Sequence, residues 1–278
     1  MIYVVMALIA PALLAADFAR LGEALDTIES SGATMVHVDV MDGHFTPQIT
    51  VGQPVVKSLR QRTRLSLDVH LLIERPERYA AQFVEAGADR LAVHPEATTQ
   101  LHRVLELIRA RGAKVGVALN PATTVGSVAD VLGEVDFLTI LCADAGADLG
   151  QPPMRRGSKQ STAADHGAGE AQGAIALQGA LQGIAQSDGQ ARVDPVPARP
   201  IPASLSKIRA AVRARQEQRL AFAIMAEGGV TFESCQELVR AGADILVAGS
   251  AIFHTDNPKT RLRELIRLAA GAGSERRT

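Results

Sequence analysis

The chain has 278 residues, is 47% hydrophobic and contains 24 Gly and 13 Pro, an ordinary globular composition. A formal net charge of −1 gives no global field favouring nucleic acid or an anionic membrane surface, and the lack of Trp with only 3% aromatics argues against stacking platforms for single-stranded nucleic acid. Two cysteines, Cys142 and Cys235, exclude a disulfide framework and suit a reducing compartment.

The N-terminal stretch MIYVVMALIAPALLAA is apolar but lacks the Lys or Arg that precedes the apolar core of a secretory leader. It reads as a first buried strand broken at Pro11, and no run reaches the ~18 uninterrupted apolar residues of a membrane span. A soluble, cytoplasmic protein is expected. Strands are expected near 3–10, 35–40, 65–70, 90–94, 114–119, 136–141, 221–226 and 245–248. Helices are expected near 17–31, 53–62, 76–86, 98–111, 124–132, 204–217, 232–241 and 258–270.

One junction recurs: an amphipathic segment, then Gly-Ala, then a β-rich run, in SSGATMVHVDV, EAGADRLAVH, RARGAKVGVAL and RAGADILVAGS. Gly32, Gly87, Gly112 and Gly242 stand where a helix ends in the left-handed conformation. Repeated β-loop-α units imply parallel strands with right-handed crossovers, and about eight strands is what a closed (β/α)8 barrel needs. The alternative is an open doubly wound sheet, although no G-x-G-x-x-G turn follows the first strand.

From Pro152 to Pro202 the rhythm breaks into a run rich in Gly, Ala, Gln, Ser and Pro. Such a run is expected to be a disordered insertion after the sixth strand. Ile175, Leu177, Leu181 and Ile184 sketch one weak helix, which Gly173, Gly179 and Gly183 each oppose by about 1 kcal/mol. The barrel is therefore expected to comprise 1–151 and 203–270, with 271–278 a solvated tail.

Alternation assigns the polar residues. Residues two apart in a strand share a face, so His37 and Asp39 of VHVDVMDGH point one way while Val36, Val38 and Val40 point toward the helices. His70 ends the strand LSLDVHL and Glu227 ends AIMAEGGV. In a closed barrel these ends converge on one mouth, where active sites of that architecture sit. Two imidazoles and two carboxylates would there form a four-ligand set for one divalent ion, Zn, Fe, Mn or Co. The competing reading makes the histidines hydrogen-bonded core groups and Asp68 and Asp42 loop caps. Asp42 and His44 lie beyond the strand end and are assigned to the loop. Gly228 and Gly229 after strand seven, and AGSAIF at 248–253 after strand eight, suit a phosphate group, unless the glycines merely permit tight turns.

The segments PALLAADFARL, HVDVMDGHFTPQITVGQPVVKSLR, LDVHLLIERPERY, AGADRLAVHPEAT, LNPAT, EGGV and AGADILVAGSAIF resemble the ribulose-phosphate 3-epimerase family across most of 8–150 and 203–255. The resemblance implies a (β/α)8 barrel that interconverts D-ribulose 5-phosphate and D-xylulose 5-phosphate. It implies His37, Asp39, His70 and Glu227 as metal ligands, Asp39 and Glu227 as the acid/base pair, and Met41 beside the reacting carbon. It further implies Gly146, Gly228, Gly229, Gly249 and Ser250 at the substrate phosphate, and, since members are often oligomers, a homo-oligomer. Epimerisation beside a ketone removes a proton and returns one to the opposite face. Two carboxylates flanking the substrate can alternate as base and acid while a cation offsets the enediolate charge.

The chain also departs from that pattern. Ala12 and Ala15 stand where the family usually has Ser, Leu72 and Leu141 where it has Met, and Glu227 where it has Asp. The phosphate-gripping loop reads DAGADLGQ at 144–151, which sets Asp148 near the expected phosphate. Three readings follow: an active pentulose-5-phosphate 3-epimerase, a 3-epimerase of another ketose phosphate such as D-allulose 6-phosphate, or a catalytically impaired paralogue that binds a ligand or partner.

Overall fold

The computed structural model describes residues 7–143 and 202–275. Gly146, Asp148 and the segment expected as an insertion, up to residue 201, lie outside the described residues, as does the start of the first strand. The strands are β1 Leu8–Pro11, β2 Met35–Met41, β3 Ser66–Leu72, β4 Arg90–Val93, β5 Lys114–Leu119, β6 Phe137–Leu141, β7 Ala223–Glu227 and β8 Ile245–Ala248. All pair in parallel, in the order β1-β8-β7-β6-β5-β4-β3-β2. A single bridge between Ala12 and His37 joins the two ends of that order, so the sheet closes into a (β/α)8 barrel at a candidate site residue.

Strict alternation divides each strand between two cores. Outward residues such as Val36, Val38, Val40, Leu91, Val93, Leu138 and Ile140 pack with the helices, for example against Leu25 and Ile28 of the helix Leu21–Ser31. Inward residues form a second, smaller core from Ala10, Met35, Ala92, Ala118, Phe137, Met225, Ile245 and Val247. Gly116 of β5 belongs to that layer because the Phe137 ring covers it: a Cβ there would stand 2.2 Å from Phe137 Cζ.

The helices expected over 17–31 and 76–86 each begin as a 3-10 turn, Phe18–Arg20 and Pro76–Arg78, and two other expected elements differ more. Residues 125–134 form a run of 3-10 turns, Val125–Glu134, rather than an α-helix over 124–132. Its β-branched valines and Gly126 and Gly133 are poor α-helix formers, and the buried Val125, Val128 and Leu132 anchor it instead. The C-terminal helix runs Pro258–Glu275, so 271–275 are helix and not tail; Ala269 and Ala272, both fully buried, carry it past Gly271. The helix after the sixth strand begins with Pro202, a residue suited to a first turn.

The Gly-Ala junctions have two physical purposes. All four glycines have positive φ, from +87° at Gly112 to +126° at Gly242. The Asp that follows Gly-Ala in two of them ties neighbouring strands. Asp89 Oδ2 accepts from Leu67 N–H at 2.8 Å and Asp244 Oδ2 from Ile224 N–H at 2.9 Å, while Asp136 Oδ2 accepts from Val115 N–H at 2.7 Å. Each carboxylate thus ties the start of its own strand to the preceding strand. Gly32→Ala, with open space around it, is expected to cost about 1–2 kcal/mol from backbone strain alone. Gly242→Ala is expected to cost more, because its Cβ would lie 2.2 Å from Val212 Cγ2; urea denaturation of the two variants compares them directly.

Candidate active site

The inward face of β2 carries Met35, His37, Asp39 and Met41, that of β3 Asp68, His70 and Leu72, and that of β7 Met225 and Glu227. In the register of the barrel Asp39 lies beside His70. The four residues His37, Asp39, His70 and Glu227 therefore meet, with one donor atom from each within 4.8 Å of the others. His37 Nε2 is 3.0 Å from Asp39 Oδ1 and 3.4 Å from Glu227 Oε2; His70 Nδ1 is 3.0 Å from Glu227 Oε1 and 3.5 Å from Asp39 Oδ1. The additional methylene of Glu227 is thus accommodated, since its two oxygens reach one histidine each.

The donor set fits a divalent cation. All four groups are buried, and Glu227 Oε2 lacks a hydrogen-bond partner. Two carboxylates held this close in a low-dielectric site need compensating positive charge. Two imidazole nitrogens and two carboxylate oxygens suit Zn, Fe, Mn or Co.

In the metal-free protein the histidines supply that charge. Burial lowers the His70 pKa, but the facing carboxylates of Glu227 and Asp39 outweigh it and raise it to about 9. The same balance, with Asp39 and Glu227 facing it, holds the His37 pKa well above its ordinary value. Burial disfavours charge on Asp39 and Glu227, yet the two imidazoles keep both carboxyls below their usual range. Because the folded His70 value exceeds the ordinary 6.5, its contribution to stability is complete below pH 6.5 and is lost as pH rises through about 9. Metal-free protein is therefore expected to lose stability across that window, read as a falling urea midpoint, whereas divalent-metal affinity should rise as the imidazoles surrender their protons.

Behind the cluster, His37 Nδ1 lies 2.7 Å from Asp68 Oδ2, and Asp68 Oδ1 accepts from Arg90 Nε at 2.9 Å. Asp68 is consequently no loop cap: it is a buried partner that, with His37 as a ligand, would keep the proton on Nδ1 and leave the Nε2 lone pair for the cluster. Arg90 stacks 4.0 Å over the Phe137 ring in the barrel interior. Asp42, by contrast, is a loop cap, accepting from His44 N–H at 2.8 Å, Phe45 N–H at 3.0 Å and Glu74 N–H at 2.9 Å. Above the cluster Met41, Leu72 and Leu141 pack as an apolar layer with Leu14 and Phe45 at its edge.

Gly228 and Gly229 follow β7 with φ of +92° and +65°, and a Cβ on Gly228 would stand 3.0 Å from Ala143. Gly249 and Ser250 open the short helix Ser250–Phe253 after β8, and a Cβ on Gly249 would stand 3.0 Å from that of Ala15. Those close approaches give the glycines a packing reason as well.

Residues 8–159 and 198–253 match the model of the ribulose-phosphate 3 epimerase family. The chain belongs to the ribulose-phosphate 3-epimerase family. It is 34% identical over 258 residues to the ribulose-phosphate 3-epimerase of Bacillus subtilis, covering 92% of this chain and 97% of the relative. It is 36% identical over 245 residues to that of Treponema pallidum, covering 88% and 90%. As a family member it is an isomerase of the epimerase type. Among solved structures, 3-hexulose-6-phosphate synthase from Salmonella typhimurium superposes with a TM-score of 0.57 at 14% identity, covering 95% of this chain and 99% of the other. The tryptophan synthase α-subunit of Pyrococcus furiosus does so with a TM-score of 0.58 at 13% identity, covering 95% and 98%. These last two establish the barrel fold. No helix among the described residues is long and apolar enough to cross a membrane.

Three residues beside this cluster were not singled out by the sequence: Arg90, His94 and Glu96. His94 Nε2 lies 2.9 Å from His70 Nε2, and His94 Nδ1 lies 3.3 Å from Glu96 Oε2. The available signal was parity, because His94 follows the inward Ala92 by two residues.

Proposed function

We propose that the protein epimerises carbon 3 of a ketose 5-phosphate, D-ribulose 5-phosphate to D-xylulose 5-phosphate, with Asp39 and Glu227 as the alternating base and acid. One observation carries the reading: two buried carboxylates on β2 and β7 face each other across two imidazoles at one barrel mouth. Opposed carboxylates are what removal of a proton from one face and return to the other require. A divalent cation held by His37, Asp39, His70 and Glu227 would supply electrostatic stabilisation of the negative charge that develops on the substrate oxygens. The residues of the chain do the rest. Ionised Asp39 and Glu227 each present an oxygen able to hold a proton. Met41, Leu72 and Leu141 exclude water from the reacting carbon, which strengthens those electrostatic effects. Gly228, Gly229, Gly249 and Ser250 offer backbone amides at two loops of the same rim for the phosphate. The metal-loaded protein is expected to exchange the C3 proton of ribulose 5-phosphate with deuterated solvent and to form xylulose 5-phosphate.

Ala12 and Ala15, which replace hydroxyls near this rim, favour carrying allulose 6-phosphate through the same exchange assay. The ketose phosphate with the highest exchange rate identifies the substrate. Absence of exchange on all of them defeats both epimerase assignments. Glu227→Asp is the companion test: a shift of about 1 Å in a catalytic group can change the rate on the order of 100-fold. A large rise would show that glutamate detunes the reaction, and a large fall that the site is fitted to it.

A further inference from the structure

We propose that His94, backed by Glu96, is a positioning residue: it fixes the tautomer and ring orientation of His70 and thereby sets the metal affinity of the cluster. The inference rests on the metal-binding reading of the four-residue site and extends it to the turn that follows β4, which contributes no ligand of its own.

The contacts admit one consistent proton assignment. His70 turns Nδ1 toward Glu227 and Asp39, so as a ligand it must carry its proton on Nε2. That nitrogen is 2.9 Å from His94 Nε2, and two ring nitrogens at such a distance need one donor and one acceptor. His70 therefore donates and His94 accepts. His94 then holds its own proton on Nδ1, which faces Glu96 Oε2 at 3.3 Å. The reverse assignment would point a bare His94 lone pair at a carboxylate. Glu96 is anchored in turn: its Oε1 accepts from Asn120 N–H at 3.3 Å and from the Thr123 hydroxyl. Lys207 Nζ clamps the same loop by donating to Asn120 O at 2.7 Å and Pro121 O at 2.8 Å.

Packing leaves the ring no freedom to do otherwise. His94 and His70 are both fully buried, their rings stack at 5.0 Å with a 26° tilt, and the Phe45 ring packs on His94 at 4.7 Å. The two site histidines are thus supported asymmetrically. His37 donates to a carboxylate, Asp68, whereas His70 donates to an imidazole. A neutral acceptor orients His70 without adding a third carboxylate to a cluster that already has two beside each ring.

Outer partners of metal-binding histidines are worth about 10–100-fold in metal affinity when lost. His94→Leu removes the acceptor and keeps the bulk, while His94→Gln can return an amide oxygen near the position of Nε2. Competition of Mn2+ or Zn2+ against a chromophoric chelator reads affinity without reference to turnover. The expected result is about a 10–100-fold loss for His94→Leu and near-parental affinity for His94→Gln. Equal affinity in the parent and both variants overturns the positioning role while leaving the metal site intact. A parent that binds neither ion overturns the metal reading and this inference together. Should His94→Leu fail to fold, Glu96→Leu at a partly exposed position takes its place, with a smaller loss expected and parental affinity counting against the proposal.

Discussion

Asp39→Asn is expected to lower C3 proton exchange by about 10²–10⁴-fold, the range that a positioned acid/base group contributes. The substitution keeps the shape of a side chain that is 5% exposed and removes its charge. Among the described residues no other group is set up to replace it. The backbone of Asp39 is pinned by Thr50, whose hydroxyl donates to Asp39 O at 2.7 Å and accepts from Met41 N–H at 3.0 Å. In the proposed reaction Glu227, on β7, would face the substrate from the other side and serve only one half of the proton exchange. Both histidines would also lose a facing negative charge, so the His70 pKa should fall from about 9. Measuring bound metal in the same samples separates a loss of ligation from a loss of proton transfer. Exchange within a few-fold of the parent, with metal retained, would remove Asp39 from the reaction.

The legible part of the site is the part that local periodicity controls. His37 and Asp39 alternate with three valines, so their common face could be read without knowing the fold, and the same holds for Glu227 at the end of AIMAE. Closure of the barrel then made convergence necessary. What a single strand does not encode is its stagger against its neighbour. Arg90 opens its strand, and His94 lies just past the end of RLAV. Only the pairing of Asp68 with Arg90 and of His70 with Ala92 delivers those side chains to the histidines. The competing reading of Asp68 as a loop cap fails for the same reason: its partners come from β2 and β4. Outside the site, the C-terminal run AGAGSERRT suggested a tail, yet burial of Ala269 and Ala272 sustains the helix, because tertiary packing supplies most helical stability. The four junction glycines were legible because positive φ is a local property, whereas the strand-tying roles of Asp89, Asp136 and Asp244 depend on which strand lies alongside.

Arg90→Leu is expected to destabilise the metal-free protein by about 3–5 kcal/mol, the cost of breaking a buried ion pair by removing one partner. Arg90 and Asp68 side chains are 8% and 2% exposed, so solvent cannot replace the lost contact. Burial disfavours charge on Asp68, but His37 and Arg90 hold its carboxyl below the usual range. With a folded value below the ordinary 3.8, its contribution is complete above pH 3.8 and is lost as pH falls through the folded value. Removing Arg90 should shrink that acid-side contribution. Arg90 has a second attachment, the Phe137 ring over Gly116, and its Nη2 is buried without a hydrogen bond. The unsatisfied nitrogen means the arginine is kept at a cost, which is reasonable if its purpose is to hold Asp68 ionised behind His37. The double variant Arg90→Leu/Asp68→Asn decides between charge and shape. Recovery of a substantial part of the lost stability is expected, since no uncompensated carboxylate remains, together with weaker metal binding because His37 loses its charged support. If the double variant is no more stable than Arg90→Leu, packing on Phe137 rather than pairing with Asp68 explains why β4 begins with an arginine.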